Sequence, residues 1–387
     1  MNVGGSGPVD NERKIMPQED TLQVLVVDDS ALYRRIVQDV LAEIPGVAVV
    51  GVAQNGKIAL KKIEQLHPDL ITLDIEMPEM DGLEALSHLH GAAPGPGVII
   101  LSDHSVEGAR ITLKALELGA FDFVRKPRKG TLEENHERLK KSLSDIITAF
   151  KRVRYVREIL KTQESSTFRR EKAMRDGLVS HGKDKAIPFS WSGKWDIKAV
   201  AIGISTGGPA ALPRVITRLP ENFPVPVFIV QHMPPVFTQA LAAKLNSMST
   251  IEVKEGQDGE TVRPGVAYIA PGGLHMGIAA PPDHTGPVIR LVDTPPMNNC
   301  KPSVDHLFFS IAEHYKEHAL GVIMTGMGSD GTEGLKRMKE WGAAVIAQDE
   351  ASSVVYSMPR KPVEEGIVDR IVPLENIADE IRRILGR

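Results

Sequence analysis

The sequence predicts two α/β domains, each with a doubly wound and mostly parallel sheet, and three observations support this fold class. Short apolar runs alternate with amphipathic segments from Thr21 to Lys126. The same alternation returns from about Asp196 to Arg387. The stretch between them is basic and loses its apolar periodicity, as linkers do. We therefore expect a disordered leader at 1–20, a first domain at 21–130, a partly helical basic linker at 131–195 and a second domain at 196–387.

Composition excludes several classes of protein. The 387 residues are 42% hydrophobic and 25% charged, and the formal net charge of −4 provides no basic field for nucleic acid. No apolar run approaches the roughly 18 residues of a membrane span, and the polar leader lacks the apolar core of a signal peptide. Cys300 is the only cysteine, so we expect no internal disulfide and a reducing cytoplasm. We also expect a small buried side chain at Cys300 rather than a thiol nucleophile.

The elements of the first domain follow from its hydrophobic pattern. Apolar runs of four to six residues, rich in β-branched side chains, favour strands, and apolar repeats every three or four positions favour helices. The predicted strands are Leu22–Val27, Ala48–Ala53, Leu70–Leu73, Gly97–Leu101 and Phe121–Val124. The predicted helices are Leu32–Ile44, Lys57–Gln65, Gly82–Leu89 and Glu107–Leu118. A five-fold βα pattern implies a parallel sheet with its functional side chains at the carboxyl ends of the strands.

Polar side chains follow four of these strands. Asp28 and Asp29 follow the first strand, Asp74 the third, Ser102 the fourth and Lys126 the fifth. Because the carboxyl ends of parallel strands share one edge, these side chains should meet. Any one of them could instead cap a helix, but capping does not account for the whole set. Three carboxylates repel one another unless a cation holds them, so a hard ion such as Mg²⁺ is expected there.

The linker is the basic part of an otherwise acidic chain, with 14 Lys and Arg and 9 Asp and Glu between Thr131 and Lys185. Helical spacing over Leu132–Leu160 places four apolar residues on one face, namely Leu139, Leu143, Ile146 and Ile147. From Lys161 onward both the apolar content and the periodicity are lost. One interpretation is a solvated helix followed by a flexible tether, and the other is a docking surface for an acidic partner.

The second domain repeats the α/β pattern. Its predicted strands are Ala199–Ile204, Val225–Val230, Val266–Ala270, Val288–Val292, Leu320–Met324 and Ala343–Ala347. Its predicted helices are Ala210–Arg218, Val236–Leu245, Val304–Glu313, Gly331–Glu340 and Leu374–Leu385. We interpret these elements as a second doubly wound sheet with a hairpin inserted between Val266 and Val292.

The first strand of this domain ends at Ser205, in a turn that can expose a serine. Residues 203–207 form the G-x-S-x-G pattern of a nucleophile elbow, and Pro209 suits the first turn of a helix. N–H groups at a helix start could stabilise an oxyanion beside the serine. A glycine-rich turn that only joins strand to helix, or that cradles a phosphate, would show the same pattern. A dinucleotide-binding loop is disfavoured because it would need glycine in place of Ser205.

A histidine and an acid follow other strands of the same predicted sheet. His232 comes directly after the second strand, and Asp330 lies in the glycine-rich loop after the fifth. If the strands are parallel, both reach the edge that carries Ser205, as nucleophile, base and orienting acid require. Alternatively, His232 could bind within its loop, Asp330 could cap a helix, and Asp349 could be the acid. The order Ser, His, Asp differs from that of α/β-hydrolases.

Four motifs of the first domain, LVVDDS, LDIEMPEMDG, ILS and FVRKP, resemble the receiver domain of two-component response regulators. The resemblance implies a flavodoxin-like (βα)5 fold and a histidine kinase as phosphodonor. It implies phosphorylation at Asp74, Mg²⁺ bound by Asp28, Asp29 and Asp74, and phosphoryl contacts from Ser102 and Lys126. Phe123 falls at the switching aromatic position of receivers. Asp103 and His104 depart from the small residues expected after Ser102.

Six motifs cover nearly the whole second domain: GISTGGP, VQHMP, AYIAPGGLHM, KPSVDHLFFSIA, MTGMGSDG and QDEASSVVYSMP. They resemble the methylesterase domain of CheB, the chemotaxis protein-glutamate methylesterase family. The resemblance implies Ser205 as nucleophile, His232 as base and Asp330 as acid, with no cofactor for the esterase. The backbone N–H groups of Thr206 and Met327 are our candidates for the oxyanion hole.

The implied activity is demethylation of glutamate methyl esters, and deamidation of glutamines, on chemotaxis receptors. The implied protein is cytoplasmic and peripheral to receptor arrays, without membrane insertion and without a nucleic-acid partner. Two alternatives stay open. One is a phosphorylation-gated hydrolase acting on another ester or amide. The other is a response regulator whose second domain only binds a partner, and the presence of all three triad residues argues against it.

Overall fold

A computed structural model describes residues 21–89, 95–103, 105–127, 130–174, 195–280 and 286–386. The leader predicted at 1–20 and His104 lie outside the described residues. In the described part of the chain, no helix is both long and apolar enough to cross a membrane.

The first domain is a parallel sheet covered by helices on both faces. Its described strands are β1 (Leu22–Val27), β2 (Val47–Ala53), β3 (Leu70–Asp74), β4 (Gly97–Ser102) and β5 (Asp122–Arg125), in the order β2-β1-β3-β4-β5. Its helices are α1 (Ala31–Ala42), α2 (Gly56–Leu66), α3 (Gly82–Leu89) and α4 (Val106–Glu117). All predicted elements of this domain are present within two residues of their predicted bounds. The strand order is that of the flavodoxin-like fold, which confirms the predicted fold class.

The long helix α5 (Leu132–Met174) completes the first domain. The four residues of its predicted apolar face are all buried and pack into the core beside β1, β4 and α1: Leu139, Leu143, Ile146 and Ile147. The structure therefore places the start of the predicted linker within the first domain. The helix also continues to Met174, beyond the predicted end of the periodicity at Leu160. The added segment is rich in Gln, Glu, Arg and Lys, which favour helix without an apolar stripe.

The second domain is a larger parallel sheet. Its described strands are β6 (Ala199–Ile204), β7 (Val227–Gln231), β8 (Glu252–Glu255), β9 (Val266–Ile269), β12 (Ala319–Ile323), β13 (Ala344–Gln348) and β14 (Arg370–Val372), in the order β14-β13-β12-β6-β7-β9-β8. The hairpin strands β10 (His275–Ala279) and β11 (Val288–Val292) pair antiparallel in a separate sheet. Its helices are α6 (Gly208–Ile216), α7 (Phe237–Met248), α8 (Val304–Tyr315), α9 (Thr332–Glu340), α10 (Ser357–Glu364) and α11 (Leu374–Ile384), with a 3-10 turn at Lys316–His318. The predicted doubly wound sheet is confirmed.

Four strands and helices of this domain were not predicted, namely β8, β10, β14 and α10, and neither was the 3-10 turn. Strand β8 is four residues long and carries three charged side chains, and β14 has only three residues. Helix α10 contains Pro359 and Pro362, which argue against a helix in sequence-based interpretation. The predicted strand at Val266 joins the main sheet beside β7, so the inserted hairpin consists of β10 and β11. Short or proline-containing elements are stabilised by their tertiary neighbours, and the local sequence pattern does not predict which neighbours they will have.

The two domains pack against each other through α4. Ala109 and Leu113 of this helix lie in one buried cluster with Leu212 and Val215 of α6. At the border of the contact, Glu117 pairs with Lys244 of α7 (2.5 Å). The carboxyl edge of the second sheet consequently faces the first domain.

Candidate active site

Ser205 lies directly after β6, in a tight turn that leads into α6. Its N–H donates to the carbonyl of Thr325 (3.0 Å), and its carbonyl accepts from the N–H of Gly208 (2.8 Å). Gly207 has φ +82°, and a Cβ on Gly208 would lie 1.8 Å from Oε1 of Gln231. The turn therefore needs glycine at both positions, and it holds the serine at the edge of the sheet.

His232 and Asp330 are joined directly. Nε2 of His232, the residue after β7, lies 2.8 Å from Oδ2 of Asp330 in the loop between β12 and α9. Asp330 is buried, with 3% exposure. Asp349, the other acid that spacing allows, instead accepts hydrogen bonds from the N–H and hydroxyl of Ser352. The structure thus brings Asp330, and not Asp349, to the imidazole.

Because Nε2 is used by Asp330, Nδ1 is the ring nitrogen of His232 that is left for a contact with Ser205. Nδ1 lies 3.7 Å from Sγ of Cys300. Among the described residues, Ser205 Oγ has no hydrogen-bond partner, although Ser205 and His232 line one cavity. A base and nucleophile that are close but not yet bonded are common in resting hydrolases. The expectation that Cys300 is buried is wrong, because its loop leaves the residue partly exposed and places its thiol beside His232.

The His232–Asp330 pair is strongly polarised. Burial opposes a charged imidazole, but hydrogen bonds with Asp330 and Cys300 outweigh burial and raise the pKa of His232 to about 9. Burial likewise opposes a charged carboxyl, but His232, Asn298 and the N–H of Val304 hold the pKa of Asp330 well below its usual range. The raised pKa favours the protonated imidazole, which must lose its proton before it can accept one from Ser205.

The two candidate oxyanion donors are backbone N–H groups in neighbouring loops. Thr206 follows the serine, and Met327 lies beside Gly328, which has φ +88°. Neither N–H donates to a residue that the structure describes. The Thr206 carbonyl accepts from the hydroxyl of Thr325 (3.0 Å), which fixes the peptide unit on its C-terminal side. Both N–H groups are therefore free to bind a developing oxyanion.

The first domain covers this edge of the sheet. Oδ2 of Asp122, in β5, accepts from the hydroxyl of Thr206 (2.6 Å), and the ring of Phe123 stacks on Phe237 at 4.6 Å. A cavity of about 30 Å³ is left, and residues of both domains line it: Leu116, Asp122, Phe123, Ser205, Thr206, Gly207, Pro209, Gln231 and His232. Ligand pockets usually measure ~300 Å³ or more. An ester-bearing side chain therefore has no room while the domains are docked.

The acidic residues of the first domain gather at its own carboxyl edge. One carboxylate oxygen from each of Asp28, Asp29 and Asp74 lies within 4.8 Å of the others. Nζ of Lys126 contacts Asp28 and Asp74, each at 2.7 Å. Burial raises the pKa of Asp74 to about 6, and Lys126 opposes that rise. A set of carboxylate oxygens fits a hard cation such as Mg²⁺.

Two residues at this edge were missed by sequence reasoning. The hydroxyl of Thr112, in α4, donates to Ser102 Oγ (2.6 Å), so the buried serine is held toward the helix. The ring of Tyr33 lies under Lys126, with Nζ 4.7 Å from its centroid. The local sequence pattern predicts neither contact, because each one joins a helix residue to a residue at the end of a strand that is distant in the chain.

Gln231 was also missed, although it directly precedes His232. It is 2% exposed, and its Nε2 donates to the carbonyl of Ser205 (2.9 Å). This bond links the end of β7 to the turn after β6, and so couples the positions of His232 and Ser205. Its only sequence signal is a polar residue at the end of an otherwise apolar strand.

Comparisons with known proteins agree with this arrangement. Residues 24–137 match the response regulator receiver domain model, and residues 200–381 match the CheB methylesterase model. A protein-glutamate methylesterase/protein-glutamine glutaminase of Desulfotalea psychrophila is 48% identical, over 93% of this chain and 97% of that protein. The chain belongs to the CheB methylesterase family.

Other members of the CheB methylesterase family match over a similar extent. The protein-glutamate methylesterase/protein-glutamine glutaminase of Halalkalibacterium halodurans is 42% identical, over 94% of this chain and 99% of that protein. Among solved structures, the catalytic domain of Thermotoga maritima CheB is 44% identical and covers 49% of this chain and 98% of its own, with a TM-score of 0.47. Because the two methylesterases named above match more than 90% of this chain, the family assignment extends over both domains.

Proposed function

We propose that this protein hydrolyses glutamate methyl esters, and glutamine side-chain amides, on chemotaxis receptors, and that phosphorylation of Asp74 activates it. The observation that carries the proposal is the juxtaposition of Ser205, His232 and Asp330 at one sheet edge, with the His232–Asp330 bond formed at 2.8 Å. The names of the relatives support this choice of substrate. A cytoplasmic protein that is peripheral to receptor arrays would encounter this substrate.

The reaction we propose is acyl transfer through Ser205. Its Oγ attacks the ester carbonyl while Nδ1 of His232 accepts the hydroxyl proton, and the N–H groups of Thr206 and Met327 bind the oxyanion. Nδ1 then returns the proton to the leaving methanol. Water attacks the acyl-enzyme by the same route and releases the glutamate carboxylate. Asp330 holds the ring through Nε2 and stabilises the imidazolium in both steps.

In the receiver domain, Asp28, Asp29 and Asp74 would hold Mg²⁺, which when bound neutralises charge on the entering phosphoryl group. Ser102 and Lys126 would contact the phosphoryl oxygens once Asp74 is modified. Lys126 already reaches Asp74 (2.7 Å), whereas Ser102 must leave its bond with Thr112. Because Thr112 belongs to α4, movement of Ser102 would reach the helix that packs on the esterase domain.

The docked interface contains a carboxylate, that of Asp122, which favours separation of the two domains. Burial raises the pKa of Asp122 to about 6, and its bonds with Thr206 and the N–H of Phe123 only partly offset this. At neutral pH the interface therefore holds a largely ionised carboxylate that forms no ion pair with any residue the structure describes. Burial of such a charge is costly. A modest change in α4 and β5 could then separate the domains and open Ser205.

Regulation should depend on Asp74. We expect a phosphodonor to raise the esterase activity of the wild-type protein by roughly 10–100-fold, the scale of a shift of a few kcal/mol between two states. Asp74→Asn should abolish this rise. The measurement is methanol release from methylated receptor fragments with and without phosphodonor and Mg²⁺.

A fragment that begins at Asp196 should be active without a phosphodonor, and Phe123→Ala should raise the activity of the unphosphorylated full chain. If the fragment were no more active than the unphosphorylated full-length protein, occlusion would be the wrong mechanism. Phosphorylation would then have to assemble the site or recruit the receptor.

The activity of the unphosphorylated protein should increase with pH up to about 9, because His232 must lose its proton to act as base and its pKa is raised to about 9. Cys300→Ala removes one cause of the raised pKa. The midpoint of the pH profile should therefore move to lower pH, and activity at pH 7 should rise. A profile of kcat/KM from pH 6 to 10 measures both, with Cys300→Ser as the control that retains a hydroxyl. An unchanged midpoint would show that the thiol does not influence the base.

The substrate assignment is tested with methylated receptor fragments beside small methyl esters and amides. We expect methanol release from the fragments and ammonia release from their glutamine forms. Hydrolysis of small esters without any action on the fragments would favour the alternative, a phosphorylation-gated hydrolase with another substrate.

A further inference from the structure

Asp330 is held by an unusually complete set of donors. Oδ2 accepts from His232 (2.8 Å) and the N–H of Val304 (2.7 Å). Oδ1 accepts from Asn298 Nδ2 (2.9 Å), the Ser303 hydroxyl (2.8 Å) and the N–H of Asp305 (3.1 Å). Three of these donors come from the first turn of α8, and a helix N-terminus stabilises a carboxylate. The other two donors are His232 and the side-chain amide of Asn298, and this amide comes from the loop that carries Cys300.

A second buried carboxylate determines where that amide points. Asp305 is 2% exposed. Its Oδ1 accepts from the N–H of Gly334 (2.7 Å), and its Oδ2 accepts from the same Nδ2 of Asn298 (2.6 Å). An amide nitrogen carries two N–H groups, so one bond to Asp305 and one to Asp330 use both of them. Asn298 therefore bridges two carboxylates, and the shorter bond is the one to Asp305.

The Asn298 bridge offsets the repulsion between the two carboxylates, and it makes the orientation of the amide depend on Asp305. Two neighbouring carboxylates repel each other, and burial together with Asp330 raises the pKa of Asp305 to about 6. The two donors of Asp305, Asn298 and the N–H of Gly334, oppose this rise and stabilise the carboxylate. Without Asp305, no other contact among the described residues would hold the Asn298 amide toward Asp330. Without Asn298, Oδ1 of Asp330 would lose one of its three donors and become a stronger acceptor for the rest.

We propose that Asn298 and Asp305 are positioning residues of the hydrolase: Asp305 orients the Asn298 amide, and the amide sets the position and acceptor strength of Asp330 toward His232. This inference rests on the proposed triad. Neither residue touches substrate or the serine in this assignment. Their effect passes entirely through the Asp330 carboxylate to Nε2 of the imidazole.

Other titratable groups near this bridge are few in the described residues. Cys300 faces Nδ1 of His232 from the same loop. His275, in β10, accepts from the N–H of Ser303 at Nδ1 (3.2 Å) and donates from Nε2 to the carbonyl of Pro295 (3.1 Å). His306, in α8, stacks on His275 at 4.9 Å, and burial lowers its pKa. Changes at Asn298 or Asp305 can thus be followed in the titration of His232, the histidine that binds Asp330 directly.

The backbone provides a matched control. Asn298 and Asn299 both have positive φ, +52° and +60°, and both side chains are exposed. An alanine at either position meets similar backbone strain, but only Asn298 reaches the two carboxylates. Asn298→Ala leaves no cavity in the core, and Asp305→Asn keeps the volume of the buried side chain.

The experiment measures pH profiles of kcat and kcat/KM for the full-length protein, with thermal unfolding of each variant. Asn298→Ala should lower kcat on the high-pH plateau roughly 10-fold, since the carboxylate loses part of its fixation. It should also move the midpoint of the profile to higher pH, because a less solvated Asp330 stabilises the imidazolium more strongly. Asn299→Ala should do neither. Asp305→Asn should lower kcat in the wild-type background but have little further effect in Asn298→Ala, because Asp305 acts on Asp330 only through the Asn298 amide.

Three results would decide against the proposal. One is an Asn298→Ala profile equal to that of Asn299→Ala. A second is full additivity of Asn298→Ala and Asp305→Asn. The third is a lower kcat with an unchanged midpoint, which a purely structural role would produce. Failure of the triad itself is distinguishable, because Asp330→Asn would then retain activity whatever the two positioning variants do.

Discussion

Replacing Ser205 by alanine should lower methanol release from methylated receptor fragments by roughly 10⁴–10⁶-fold, the usual cost of removing the nucleophile of a triad. The change removes one oxygen from a side chain whose Oγ has no partner among the described residues. The backbone bonds of the turn, to Thr325 and from Gly208, remain. The fold should therefore persist while the covalent step is lost.

The measurement compares wild type and Ser205→Ala as the phosphorylated full chain, so that docking of the receiver domain does not mask the difference. Thermal unfolding and phosphorylation of Asp74 serve as controls for folding. Methanol release at the wild-type rate from Ser205→Ala would overturn the nucleophile assignment. Residual activity far below wild type is expected, since the oxyanion donors and the binding surface are retained.

Asp330→Asn should lower kcat by roughly 10⁴-fold, whereas Asp349→Asn should have little effect on turnover. Asp330 accepts from five groups, and an asparagine at this site would place an NH₂ group against N–H or O–H donors on either side. It would also favour the wrong tautomer of His232. Asp349 only closes a turn with Ser352, so its loss leaves the imidazole untouched.

The comparison of the two carboxylates uses single-turnover rates with a methylated fragment, together with unfolding midpoints. Both aspartates become asparagine, so volume and charge change alike. If Asp349→Asn were the more damaging variant, the acid of the triad would have been assigned to the wrong loop. A loss in Asp330→Asn that tracked a large fall in unfolding temperature would indicate a folding defect, and the rate at a lower temperature would separate the two.

Much of the fold follows from local pattern. The first domain from β1 to β5 was predicted element by element, because its central strands β1, β3 and β4 are buried on both faces and consist of continuous apolar runs, and its helices carry clear apolar stripes. Helix α5 was the exception, since it was assigned to the linker. The same holds for the strands that carry Ser205, His232 and Asp330. Once parallel strands are inferred, residues at their carboxyl ends must meet at one edge. The sequence also pointed to the carboxylates and Lys126 of the receiver site by the same reasoning.

Other features depend on contacts between segments far apart in the chain. The choice of Asp330 over Asp349 rests on which loop reaches the imidazole, and spacing alone allows both. Cys300, Asn298 and Asp305 come to the site because one loop and the start of α8 cross the ends of β7 and β12. Likewise, the short elements β8 and β14 and the proline-containing α10 are stabilised by neighbours rather than by their own periodicity.

The sequence by itself determined three things: the two sheets, the polar side chains at the carboxyl ends of their strands, and the family. Each of these depends on residues that are close together in the chain or on the direction of the strands. Only the tertiary structure decided the state of the site. It shows Nε2 of His232 bound to Asp330, Nδ1 beside a thiol, and Thr206 bonded to Asp122 of the other domain. The physical reason is that a side chain's partner and its pKa are set by distances of a few ångströms between distant segments, and these distances exist only once both domains have packed.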